Sequence, residues 1–288
     1  MRELKILAVV VFFTAVTYWG VEPFAHSQMH PHVDPADFTF KDLGVNTKKG
    51  DAKVGADTFL SAGCTGCHGL SVAGMPAPMD AAGASGSFGV VPPDLSSAGA
   101  IYDKNYLAAL IKEPIKALKV EHKFNETRPH PMIAFFGLGG DIDQEIADIV
   151  AYLQSIAPKT MDDKQVYADA CQRCHDMKYD KVMSPSDKKA LTTYMGTLPP
   201  DLSIMIRAKS EDYLNTFIND PQKQLPGTSM PRVGLTQKAQ EQVISYMEKV
   251  GDRKKAERDD LGYKLVVYMA IFTVLAYLWK VKIWRKVH

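Results

Sequence analysis

"CTGCH" spans Cys64–His68 and "CQRCH" spans Cys171–His175, and together they hold all four cysteines of the 288-residue chain. The second motif begins 107 positions after the first. The same offset aligns "PPDLS" at Pro92–Ser96 with "PPDLS" at Pro199–Ser203, and "NYLAALIKEP" (Asn105–Pro114) with "DYLNTFINDP" (Asp212–Pro221). Self-similarity at one offset marks a duplicated unit. Roughly 100 residues is an ordinary domain size, so each unit is read as a whole small domain. The chain is also longer than a single core usually supports.

A Cys-x-x-Cys pair by itself fits a disulfide, a redox dithiol or half a zinc site. The histidine directly after the second cysteine selects among them. Two thiols so spaced can add across the two vinyl groups of a haem while the next residue reaches the iron, and this is the c-type attachment signature. Two copies, with no cysteine to spare, predict two covalently bound haem c groups. Cys64, Cys67, Cys171 and Cys174 would carry the thioether bonds, and His68 and His175 would be axial ligands.

Each iron needs a sixth ligand. "LPGTSMPRVGLT" offers Met230 in a loop before the last helix of its unit, and "ETRPHPMIAFFGLGGD" offers Met132 in the corresponding place. These two are 98 positions apart, so the first unit carries nine more residues ahead of its methionine. Methionine often only fills a core, but both of these sit in Pro-flanked loops followed by Gly137 or Gly234. Met75, Met79 and His130 compete in the first unit. Met75 follows His68 too closely to reach the opposite haem face, whereas His130 would give a bis-histidine iron of lower potential. Met195 and Met205 read as packing.

The elements predicted around the motifs are helical. "DAKVGADTFLSAGC" and "DDKQVYADAC" deliver the cysteines, and "YLAALIKEP" and "YLNTFINDP" are amphipathic helices that stop at Pro114 and Pro221. "DQEIADIVAYLQSI" and "QKAQEQVISYMEKV" show apolar residues at helical spacing and close their units. Nothing reads as sheet. The Gly-, Ala-, Ser- and Pro-rich stretch 69–89 is expected to be loop.

The ends differ from the middle. Arg2 and Lys5 precede an apolar run, Ile6–Val21, whose sixteen residues rise about 24 Å as a helix, slightly short of a bilayer core. A cleaved export signal has the same layout, but no small-x-small site follows, so an uncleaved anchor is expected. At the other end Leu265–Trp279 holds no charge, and Lys264, Lys280, Lys282, Arg285 and Lys286 flank it, able to snorkel. Basic residues at the outer ends of both segments place both termini in the cytoplasm and the haem units outside. "HSQMHPH" (His26–His32) could hold a metal but reads better as a polar segment at the membrane surface. "GDRKKAERDDLGY" (251–263) mixes charges and reads as a solvated hinge. The formal net charge is +1, which gives no reason to expect nucleic acid as a partner.

CxxCH, then PPDL, then a Met loop and a closing amphipathic helix resemble the class I cytochrome c fold, twice over, from about Val45 to Val250. In that family the proline carbonyl receives the ring N–H of the haem-binding histidine. The matching residues here are Pro93 for His68 and Pro200 for His175, with Leu95 and Leu202 against the haem. The implied fold class is all-α: two tandem class I cytochrome c domains flanked by an N-terminal and a C-terminal transmembrane helix. The corresponding segments are an N-terminal helix 1–22, an external linker 23–45, domains 46–157 and 158–250, a hinge 251–263, and a final helix with a basic tail 264–288.

The tandem arrangement is similar to dihaem electron carriers of the c4 type. A mobile shuttle needs no anchor, and two anchors at the ends most resemble the dihaem cytochrome c subunit of a bacterial quinol–cytochrome c oxidoreductase, the cytochrome bc1 complex. The dihaem subunit of a cbb-type haem–copper oxidase, or the cytochrome subunit of a membrane dehydrogenase, is the alternative. The first resemblance implies cytochrome b and Rieske iron–sulfur subunits as partners and a soluble cytochrome c or terminal oxidase as acceptor. It further implies a dimeric complex in the bacterial inner membrane, with the haem domains on the periplasmic side.

Overall fold

The computed structural model describes residues 2–29 and 34–287, and among them there is no strand, only isolated bridges between helices. The first helical stretch comprises α1 (Arg2–Val16), a π-helical turn (Thr17–Val21) and α2 (Glu22–Met29). The first domain follows, built from α3 (Ala52–Ser61), α4 (Ala81–Phe88), α5 (Lys104–Lys112) and α6 (Ile142–Ile156). The second contains α7 (Asp163–Tyr167), α8 (Lys188–Met195), α9 (Glu211–Asn219) and α10 (Gln237–Gly251). The chain closes with α11 (Lys255–Val287). Helices α4 and α8, and α5 and α9, match position for position at the offset of 107.

Local chemistry explains the helix starts. Asp51, Asp80, Asp103 and Asp141 in the first domain, and Asp162, Asp187, Ser210 and Thr236 in the second, accept free N–H groups of the helices they cap. In each domain the helix before the cysteines crosses the closing helix. In the first domain Gly55 makes that crossing possible, since a Cβ there would stand 1.9 Å from the Asp148 carbonyl oxygen.

Two segments differ from the expectation of loop or hinge. Within 69–89, residues 81–88 form α4, because Asp80 caps the helix, Gly89 ends it at φ +80°, and α8 packs against it. Only three residues separate α10 from α11, so most of 251–263 is helical, with Arg258 bonded to Asp252 across the turn.

The domains share a core. Tyr102 and Tyr106 of the first and Tyr167, Leu235 and Val243 of the second belong to one buried apolar cluster, which also contains Phe40 from the segment before the first domain. The nine extra residues of the first unit lie at this junction: Leu118, Val120 and Phe124 make a small core of their own, against which Tyr194 packs. Arg128 donates to the carbonyls of Thr193 and Tyr194 at 3.0 and 2.7 Å. Lys123 bonds to the Met195 carbonyl and His122 to that of Thr228.

Glu3–Gln28 and Lys255–Arg285 are long and apolar enough to cross a membrane, and neither is buried within the protein. Glu3, near the start of the chain, pairs with Lys280, near its end, at 2.8 Å. The outer ends of the two helices therefore lie side by side.

Candidate functional site

Each CxxCH motif folds into a tight turn in which the histidine N–H returns to the first cysteine: His68 N–H to Cys64 O and His175 N–H to Cys171 O, both 3.0 Å. One turn thereby presents two thiols and an imidazole together. The four cysteines are unpaired. Burial pushes the Cys64 and Cys174 thiols up, and that of Cys171 up to about 12. A redox dithiol needs the opposite shift, so the arrangement does not suit that reading.

The imidazoles are oriented by the predicted prolines. His68 Nδ1 lies 2.9 Å from the Pro93 carbonyl oxygen and His175 Nδ1 lies 2.8 Å from that of Pro200. An N–H donated from Nδ1 leaves Nε2 with a lone pair, which is the tautomer a metal needs. Burial lowers the pKa of both rings, against the pull of the proline carbonyls, so they stay neutral. The donor set and its orientation thus fit a haem in both domains.

The rest of the repeated PPDLS after its second proline is bonded as well. Leu95 N–H bonds to Gly69 O at 2.8 Å, and Leu202 N–H bonds to Asp176 O at 2.9 Å. Asp94 accepts from the Ser71 N–H and hydroxyl, and its other oxygen accepts from the Ser96 N–H. Ser96 in turn receives the Val72 N–H at 3.0 Å, as Ser203 receives that of Tyr179 at 3.1 Å. Burial raises the Asp94 carboxyl, but these hydroxyl and amide donors outweigh it and hold the group below its ordinary value. Sequence reading singled out the proline and leucine; the aspartate and serine were signalled only by their presence in both copies.

Met132 and Met230 lie half-buried in the loops before α6 and α10. Of their rivals, His130 is the one with its ring committed elsewhere. Met75 exchanges both backbone bonds with Leu70, two residues past His68, which holds it close to that histidine. His130 has both ring nitrogens engaged: Nδ1 is 3.1 Å from the Met132 backbone, and Nε2 is 3.2 Å from the Tyr194 hydroxyl across the domain junction. The Phe124 ring meets it edge-on at 4.9 Å. Met195 is buried, and Met205 packs on the shared core. Of the histidine-rich stretch, His26 lies on α2, while His30 and His32 fall outside the described residues.

Arg173, the variable residue before Cys174, is the main feature that the motif spacing gives no reason to single out. It is half-buried at the junction. Its positive charge pushes down the pKa values of His68 and His130 in the first domain, secondary to burial, and opposes the burial that raises Tyr102 and Tyr194. The two haem-binding motifs therefore sense one guanidinium.

The family model described as Cytochrome c matches residues 52–157 and again 162–251, over half of the chain. Among solved structures, a chain titled "Hyperthermophilic respiratory Complex III" aligns with 98% of this chain and 99% of its own, at 18% identity and a TM-score of 0.34. No curated protein matches. The paired motifs, the proline-held imidazoles and the two matched segments have one reading: the chain belongs to the cytochrome c family, with two of its haem-binding domains in tandem between two apolar helices.

Proposed function

We propose that the chain is a membrane-anchored dihaem cytochrome c of a quinol-oxidising bc complex, taking electrons from a Rieske iron–sulfur protein and delivering them to a soluble cytochrome c or a terminal oxidase. The observation that carries the haem part is the repeated device of a CxxCH turn with its histidine Nδ1 on a proline carbonyl. When bound, the haems supply the one-electron chemistry.

The chain's own residues set its terms. Cys64, Cys67, Cys171 and Cys174 would bind the haems covalently, and Leu95 and Leu202 would line their pockets. Pro93 and Pro200 hold His68 and His175 by Nδ1, which leaves each Nε2 free to bind an iron. Met132 and Met230 would supply the second protein ligand to each iron, a reading supported by the engagement of His130 at both ring nitrogens. Methionine opposite histidine favours the reduced iron and raises the potential, as the high-potential branch of a quinol oxidase requires.

The two terminal helices carry the membrane part. The Glu3–Lys280 pair keeps their outer ends together, and basic residues at those ends favour the cytoplasm. The domains then stand on the periplasmic side of a bacterial inner membrane, beside cytochrome b and Rieske subunits in a dimeric complex.

Purification of the full chain from its native membrane tests the assignment. Cytochrome b and a Rieske protein should accompany it in equal amounts, and quinol should reduce its haems. Co-purification with haem–copper oxidase subunits and no cytochrome b would overturn the bc reading while leaving two haems per chain intact.

A further inference from the structure

The loop that carries Met230 is held mostly from outside its own domain. Arg232, two residues further on, is only 3% exposed, and a guanidinium so placed needs partners. Its Nη1 donates to Asp42 at 2.7 Å and its Nε to the Asn219 carbonyl at 3.3 Å. The guanidinium also sits over the Phe40 ring, 4.7 Å from the centroid. Asp42 and Phe40 come from the segment between the N-terminal helix and the first domain. That segment is strapped to the second domain, where Asn219 holds the Asp37 N–H and carbonyl and Thr216 donates to the Asp34 carbonyl.

The Arg232 backbone is pinned as well. Its N–H bonds to Leu118 O at 2.9 Å, and its carbonyl accepts the Tyr106 hydroxyl at 2.8 Å. Both partners belong to the first domain. Two residues on, Gly234 adopts φ +72°, and a Cβ there would stand 2.1 Å from the Tyr106 ring. The first domain's loop has no such arrangement, for Ala134 occupies the place of Arg232.

We propose that Arg232 is the positioning residue of the Met230 loop and that Asp42, from the segment that precedes the first domain, keeps it seated, so that ligation in the second domain depends on a residue outside that domain. The inference rests on the haem reading above. Without Asp42 the guanidinium would be left buried and without a carboxylate, although Lys119, which also touches Asp42, keeps its second partner Asp220. A loop relieves such a charge most cheaply by turning it out to water. Met230 would travel with it.

The test uses the full-length, haem-loaded protein in detergent and reads the near-infrared charge-transfer band of methionine ligation together with the two midpoint potentials. In Asp42→Ala the band should fall to about half and one potential should drop while the other holds, because one of two haems loses its methionine. Asp42→Asn, which keeps the shape of the side chain, should act in the same direction and serves if the alanine variant does not accumulate. Asp42→Ala combined with Arg232→Leu removes the buried charge itself without adding a sulfur ligand and should restore the band, which mere loss of packing would not allow. A full band in both single variants, equal loss at both haems, or no restoration in the double variant would overturn the proposal. Wild-type protein without haem, or without the band, would instead remove the reading on which it stands.

Discussion

The Ser186 hydroxyl donates to the carbonyl oxygen of Arg173, inside the CQRCH turn of the second domain, at 2.6 Å. The Ser186 hydroxyl oxygen also accepts the Val91 N–H of the first domain, at 3.0 Å. Val91 stands two residues before Pro93, whose carbonyl orients His68. One buried hydroxyl therefore joins the loops that set the two proximal histidines. Ser186→Ala removes both bonds and leaves the Val91 N–H without an acceptor, whereas Arg173 O keeps the Ser184 hydroxyl. The cost should be about 1–3 kcal/mol, as for other buried groups that lose a partner. The denaturant midpoint of the haem-loaded protein should fall with unchanged slope; a loss well under 0.5 kcal/mol, ordinary for surface changes, would mean that the junction does not depend on this serine.

The ligand assignment makes a sharper demand. Met132→His and Met230→His should each remove about half of the methionine charge-transfer band, and the double variant all of it. His130→Ala should leave the band whole, because that ring is spent on the Met132 backbone and the Tyr194 hydroxyl. Its cost should instead be a loosened junction, since Phe124 and Tyr194 also lose a neighbour. A band left whole in Met132→His, with the spectrum of one haem altered in His130→Ala, would instead revive His130 as a ligand.

Much of this site was legible from spacing alone. The 107-residue offset located both motifs, both PPDLS loops and the helix pair α5 and α9, because local turn chemistry repeats with the residues that make it. The helices α4 and α8 obey the same offset, yet α4 was hidden: Gly83 and Gly86 weaken its intrinsic helix preference, and only the Asp80 cap and the packing against α8 stabilise it. The junction was not legible either. Arg232 with Asp42, and Ser186 with Val91, are 190 and 95 residues apart, and no periodicity links residues that meet only after two domains have docked. Arg173 illustrates the same limit, since a basic residue inside a motif reads as exposed until a neighbouring domain covers it.

Arg173 should tune both haems. A fixed positive charge in a half-buried junction stabilises the reduced, less positive iron, and the charge reaches the surroundings of His68 as well as its own motif. Arg173→Gln should lower the midpoint potentials by roughly 20–60 mV, the size expected for one charge about 10 Å away at an effective dielectric between protein and water. Arg173→Lys should keep most of that potential. Spectroelectrochemical titration separates the outcomes, and unchanged potentials in Arg173→Gln would show that solvent already screens the charge.

The second domain should be acid-sensitive through Asp163. This carboxylate opens α7 and accepts from Lys249, Ser245 and Gln242 of α10, at 2.5, 2.9 and 3.4 Å, tying together the helices before and after the haem site. The Lys249 bond is the main reason its pKa lies below the ordinary carboxylate value; burial pulls the other way, and Ser245 and Gln242 add to the lowering. A group depressed in the folded state contributes stability above its unfolded pKa, about 3.9, and loses that contribution as pH falls through the folded value. At pH 7, Asp163→Asn should therefore be less stable than wild type by about 1 kcal/mol, the lower range for charged hydrogen bonds because Lys249 is largely exposed and salt screens it. The difference should hold down to about pH 4 and close below it as the wild-type carboxylate takes up its proton. Denaturant midpoints of the two proteins between pH 7 and 3 decide the matter: a gap that stays constant across that range would mean that Asp163 acts by shape and not by charge.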